Sequence, residues 1–147
     1  MKNEGLCIYL AGKMGNLTLT EMSTWRNLVK TELDKYSDMA NYNTKVLSPV
    51  DYYNFEEIRH QNEEEVMKFD LALVHSSNIV IVNTNGLNSS IGSAIEIYEA
   101  WKSGIPVIAY DENGDYKTVH PWLKCCFTRV ESCVMDMCEY IKDFYMR

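Results

Sequence analysis

The sequence predicts an α/β fold: a single Rossmann-like or flavodoxin-like doubly wound domain over residues 1–147, with a mostly parallel sheet of about five strands. Three observations predict it. Segments with strand patterning alternate with segments of helical patterning along the whole chain. Two continuous apolar runs, "NIVIVNT" at 78–84 and "IPVIAYD" at 105–111, have the composition of strands buried on both faces, as in parallel sheets covered by helices. Turn-rich loops, "AGKMGN", "NTNGLNSS" and "YDENGDYKTVHP", then follow the strand-like runs where such sheets hold their ligands.

Each element has its own signal. Residues 5–12 read as the first strand. Residues 17–36 read as a helix, with Met22, Trp25, Leu28, Val29 and Leu33 at helical spacing and Thr18 or Thr20 as cap. "KVLSPV", 45–50, reads as a second strand closed by Pro49. Residues 52–77 read as helical, in one or two pieces, and 78–84 as the third strand. A helix over 89–104 has serines at its start and Gly104 at its end. After the strand at 105–111 come a short edge strand in "CFTRVES" and a closing helix over 133–145.

Composition narrows the function classes. The 147 residues are 46% hydrophobic and 24% charged, which suits a globular domain. A chain of this length buries roughly 70% of its unfolded surface, so its core needs neither disulfide nor metal. The net charge of −7 disfavours tracking of a nucleic-acid backbone and binding to anionic membranes. A small anion remains compatible with it, because one local nest of N–H groups binds a phosphate on an acidic protein. Cys7, Cys125, Cys126, Cys133 and Cys138 are odd in number and contain no CxxC, which argues for reduced thiols in a cytoplasm. "MKNEGL" has no apolar signal core, and no apolar run approaches membrane-spanning length.

Three side chains stand out against this frame. Asp70 has Val66, Leu73 and Val74 as its i−4, i+3 and i+4 neighbours, so a helix here puts a carboxylate in an apolar stripe. It is either an exposed acid at a helix break or an inward carboxylate whose pKa burial tunes. Glu96 has only Gly92, Ser93 and Ala100 at those spacings. It is either an ordinary solvated glutamate beside Glu99 or an acid left open to a substrate, near a helix N-terminus that favours anions. Tyr9 lies in a strand of core composition, as a packed aromatic or as a phenol with a partner. Gly12 and Gly15 do not form the dinucleotide fingerprint. His60, His75 and His120 are scattered and read as surface or supporting groups.

"IYLAG", the inward Asp of the second helical region, "NIVIVN" and "SSIGSAIEIYEAWKSGIPVIAY" together resemble the nucleoside 2-deoxyribosyltransferase family and its relatives that hydrolyse 2′-deoxynucleoside 5′-monophosphates. The resemblance covers most of residues 6–111 and is densest in "GSAIEIYEAWKSGIPV"; "GDYKTVHPWLKCC" has no counterpart. It implies an enzyme that cleaves an N-glycosidic bond without a cofactor or metal. Glu96 would be the nucleophile, Tyr9 would orient it, and Asp70 would handle the proton of the departing base. Water or a second nucleobase would take the sugar. The implied substrate-binding set is Gly12, Lys13, Asn88, Ser90, Gly92 and Ser93.

The transferases carry an Asp six residues before the nucleophile, and this chain has Ser90 there. A hydroxyl accepts a phosphate that an Asp would repel. With Lys13 nearby, this tilts the expectation toward a 5′-monophosphate and hydrolysis. The resemblance further implies a homodimer or larger homo-oligomer with shared sites. The loop 112–122 or the C-terminal "DFYMR" would contribute, with Asn113, His120 and Tyr145 as candidates; Trp25, Tyr36 and Trp122 suit an interface or the core equally. The competing readings are a nucleotide-binding or sequestering protein without chemistry, and a domain whose active site lies elsewhere.

Overall fold

The first strand shows how the chain builds two layers around one sheet. A computed structural model describes residues 3–53 and 57–147. In β1 (Asn3–Ala11), Ile8 and Leu10 point to one face, and Tyr9 and Ala11 to the other, as the period of two requires. Helices α1 (Leu19–Met39) and α5 (Val134–Tyr145) cover the first face, bringing Trp25, Val29, Leu33, Met137 and Ile141 onto Ile8 and Leu10. Helices α2 (Glu63–His75) and α3 (Ile91–Lys102) cover the second, where Val74, Ile97 and Ala100 pack around Tyr9 and Ala11.

The other strands are β2 (Tyr42–Leu47), β3 (Ile79–Asn83), β4 (Val107–Tyr110) and β5 (Arg129–Glu131). The five strands are all parallel, in the order β2–β1–β3–β4–β5. That is the flavodoxin-like order of the two arrangements expected. The register sets Tyr9 beside Leu47 on one side and Val80 on the other. Residues of β3 and β4 are buried throughout, which explains their unbroken apolar sequence. Short 3₁₀ turns lie at Pro49–Tyr52, Leu87–Ser89 and Asp115–Thr118, and a four-residue α4 at Pro121–Lys124. No helix of the described residues is long and apolar enough to cross a membrane.

Local chemistry fixes the ends. Thr18 caps α1 in a reciprocal capping box with Glu21, and Asn62 does the same for α2 with Glu65. Gly104 ends α3 at φ 76°, a left-handed conformation that favours glycine.

Some expectations shift. Leu28 is 43% exposed, because the buried stripe of α1 runs through Met22, Trp25, Arg26, Val29 and Leu33. Leu28 lies about 115° from the centre of that stripe, on the side away from Arg26. The second strand runs 42–47, not 45–50: it pairs with β1 from Tyr42 and stops before Pro49, which opens a 3₁₀ turn. Within 52–77 the α-helix occupies only 63–75; residues 54–56 of that expected stretch lie outside the described residues. The helix expected from residue 89 begins at Ile91, after the 3₁₀ turn.

Candidate active site

Strand order reverses between β1 and β3, and a cleft of about 520 Å³ opens at that point. This is where a doubly wound sheet leaves room for a ligand, and the volume suits a small molecule. The loop after β1 supplies one wall, from Gly12 to Asn16. The 3₁₀ turn and first turns of α3 supply another, from Ser89 to Ser93 and on to Glu96. The third wall combines Tyr53, Ile58, His60, Glu63, Val66 and Asp70. The loop "YDENGDYKTVHP" contributes nothing to this lining. Instead it braces the turn before α3: Asn88 donates to the Thr118 carbonyl at 2.7 Å and accepts from the His120 N–H at 2.8 Å. Asn88 is therefore engaged outside the cleft.

Glu96 stands on the sheet-facing side of α3, 9% exposed, and Tyr9 stands on the strand beneath it. The Tyr9 hydroxyl donates to Oε2 of Glu96. Oε1 is left for the cleft. Burial pushes the Glu96 carboxyl up to about 7; Tyr9's hydrogen bond and the charge of Arg26 pull it down, while Asp70 pushes it up. Burial and the neighbouring acids hold the Tyr9 hydroxyl well above the usual phenol range, so it remains a donor.

Asp70 faces the same cleft from α2. The Tyr53 hydroxyl donates to its Oδ1 at 2.5 Å. Burial raises the Asp70 carboxyl above its ordinary value, against Tyr53 and Arg26, which lower it. Glu96 and Asp70 are thus two acids on different helices that open to one space, each held by a tyrosine.

Arg26 supplies the positive charge behind them. Its side chain is 1% exposed and lies 4.7 Å over the Trp25 ring. It donates to the carbonyls of Met22 (2.7 Å), Gly12 (3.1 Å) and Leu10 (3.4 Å), and so ties α1 to the end of β1. Burial lowers its pKa to about 10, which still leaves it charged at neutral pH. Gly12 makes this possible: a Cβ there would lie 2.8 Å from Cζ2 of Trp25. The close approach that this glycine allows is by Trp25.

A lysine and three serines also line the cleft. Lys13 donates to Ser89 Oγ at 3.1 Å, and Ser90 Oγ donates to Ser93 Oγ at 2.8 Å. The Lys13 side chain lies over Gly86, whose φ of 66° and missing Cβ admit it; a Cβ would be 2.7 Å from Lys13 Cδ. Gly92 and Ser93 sit in the first turn of α3, where backbone N–H groups lack helical acceptors. Lys13 is the one lysine or arginine among the described residues lining the cleft.

The structure brings Tyr9, Asp70 and Glu96 together, and places Gly12, Lys13, Ser90, Gly92 and Ser93 around the same space. Sequence reasoning missed Arg26, Tyr53 and His60. Arg26 had a readable signal, the one that singled out Asp70: a charge within an apolar stripe. Tyr53 had none, because its role depends on how the chain leaves β2. His60 lines the cleft, while His75 pairs with Glu99 at 3.3 Å and His120 caps α4.

No protein-family model and no curated protein matches the sequence. The fold does match solved structures. A conserved protein from Enterococcus faecalis V583 superposes with a TM-score of 0.72 at 17% identity, over 94% of this chain and 98% of that one. A 2-deoxyribosyltransferase from the psychrotolerant bacterium Bacillus psychrosaccharolyticus superposes with a TM-score of 0.69 at 19% identity, over 91% of each chain. The resemblance read in the sequence is matched at the level of fold.

Proposed function

We propose that this chain is a single nucleoside 2-deoxyribosyltransferase-like domain that cleaves the N-glycosidic bond of 2′-deoxynucleosides or their 5′-monophosphates. Support comes first from one observation: a buried glutamate, bonded to a buried tyrosine, opens onto a cleft shared with a second acid. In this reading Oε1 of Glu96 attacks the anomeric carbon. The glycosidic bond breaks, its electron pair goes to the base nitrogen, and Asp70 supplies the proton the base needs to leave. An acceptor, water or a nucleobase N–H, then attacks the same carbon, frees Glu96 and returns a proton to Asp70. The retention logic is that of a two-step glycosidase. The raised pKa of Asp70 suits a group that must carry a proton.

Lys13, Ser90 and Ser93 favour a 5′-monophosphate over a free nucleoside, and water as acceptor follows from the same likeness to the hydrolases. The reading includes assembly with further copies of the chain. Ile91 (79% exposed), Ile95, Tyr98 and Trp101 form an apolar stripe on the outer face of α3, and Trp122 (81% exposed) extends it.

The test is incubation with dCMP, dGMP, dTMP and the corresponding deoxynucleosides, with released base measured by chromatography. A second base added to the same reactions scores transfer, and the mass of acid-quenched protein scores a deoxyribosyl adduct. Release that disappears in Glu96→Ala supports the reading. Tight binding without release, in a protein that keeps its fold, replaces it with a nucleotide-binding role. Release unaffected by Glu96→Ala moves the chemistry elsewhere.

A further inference from the structure

Asp70 has a partner that the reaction scheme above does not use. Tyr53 belongs to neither helix of the site. It follows the 3₁₀ turn that closes β2, and its hydroxyl reaches Oδ1 of Asp70 at 2.5 Å. Its ring is fixed edge-on by Phe69 (centroids 6.1 Å apart, 72°) and by His60 (6.2 Å, 81°). Tyr53, His60 and Asp70 all line the cleft.

The contact answers a physical need. The terminal torsion of an aspartate is broad, so packing alone leaves its two oxygens interchangeable. A group that delivers a proton needs one oxygen aimed and the other retired. On α3 the buried Tyr9 does this for Glu96 from a rigid strand. For Asp70 on α2, the segment after β2 provides the phenol.

We propose that Tyr53 is a positioning residue: by occupying Oδ1 of Asp70 it leaves Oδ2 aimed at the cleft, where the departing base takes its proton. This rests on the reading of Asp70 as the proton-handling group. Tyr53, Arg26 on α1, Glu96 on α3 and Tyr9 on β1 interact electrostatically with Asp70, and Glu63, Lys13 and His60 line the same cleft. Among these Arg26 and Tyr53 act to lower the Asp70 pKa, so loss of the phenol hydroxyl lets it rise.

The experiment compares wild type with Tyr53→Phe, which keeps the ring and its packing; circular dichroism and melting confirm the fold. A ¹³C-carboxyl NMR titration, with the resonance assigned by Asp70→Asn, is expected to show a higher Asp70 midpoint in Tyr53→Phe. An unchanged midpoint overturns the proposal. Turnover is then measured on a natural deoxynucleotide and on a nitrophenyl deoxyriboside, whose phenolate leaves without a proton. Tyr53→Phe is expected to lose about 10- to 100-fold in kcat on the first, with KM within twofold, and to retain activity on the second. Equal losses on both substrates, or none on either, overturn it. A wild type inactive on every substrate removes the glycosidic reading and this proposal together; an active wild type with an unaltered variant removes only this one.

Discussion

Tyr9 donates a hydrogen bond to Glu96 across 87 positions of sequence, and the two side chains are 0% and 9% exposed. An acid so enclosed is harder to ionise in the folded chain than in the unfolded one, and its pKa stands at about 7 instead of 4.5. Between those values the folded state binds the extra proton, so stability falls as pH rises through that window. The cost of the buried anion is absent below about 4.5, is complete above about 7, and reaches the order of 3 kcal/mol. Calorimetry is expected to show a melting temperature lower at pH 8 than at pH 6. Glu96→Gln should remove this component and melt several degrees higher than wild type at pH 8. The same substitution should lower turnover by at least about 10³-fold. A variant less stable than wild type at pH 8 contradicts the first expectation.

The hydrogen bond from Tyr9 lowers the Glu96 pKa, so Tyr9→Phe should raise it further. A nucleophile must be ionised, and activity should therefore rise with pH through about 7 in wild type. In Tyr9→Phe that limb of the kcat/KM profile should move to higher pH. A limb that stays in place would detach Tyr9 from the titration of Glu96.

Lys13 tests the substrate class. A charge-assisted hydrogen bond contributes about 1.5–3 kcal/mol, so Lys13→Ala should raise KM for deoxynucleoside monophosphates by about 10- to 100-fold. KM for free deoxynucleosides should hardly change. Equal effects on both would show that Lys13 does not meet a phosphate.

Arg26 binds three backbone carbonyls in the protein interior. Arg26→Met leaves them without this donor and should destabilise the fold by about 2–4 kcal/mol, measured by urea titration. It also removes a charge that lowers the pKa of Glu96, so the pH limb should again shift upward. Wild-type stability in this variant would mean that water or a rearranged loop replaces the guanidinium.

The apolar stripe on α3 gives a test of assembly. Sedimentation is expected to show an oligomer for wild type and a smaller species for Trp101→Glu combined with Trp122→Glu, both exposed positions away from the cleft. A monomeric wild type would remove shared sites from the proposal.

The sequence by itself determined the alternation of strands and helices, because periodicity and buried apolar runs are local properties. It marked Glu96 and Asp70 as acids in unusual surroundings, because small or apolar neighbours at i±4 are visible along one helix. It narrowed the cap of α1 to Thr18 or Thr20 for the same local reason, and the structure has Thr18 there. Only the tertiary structure decided that the order is flavodoxin-like and that α2 and α3 share the face of the sheet toward which Tyr9 points. It alone made Arg26 a buried clamp, gave Asp70 its phenol from the segment after β2, and turned Asn88 away to brace a loop. These depend on which side of the sheet each crossover takes and on where a loop returns. Such choices are set by burial and hydrogen bonding between segments far apart in the chain, and no window of neighbouring residues contains them.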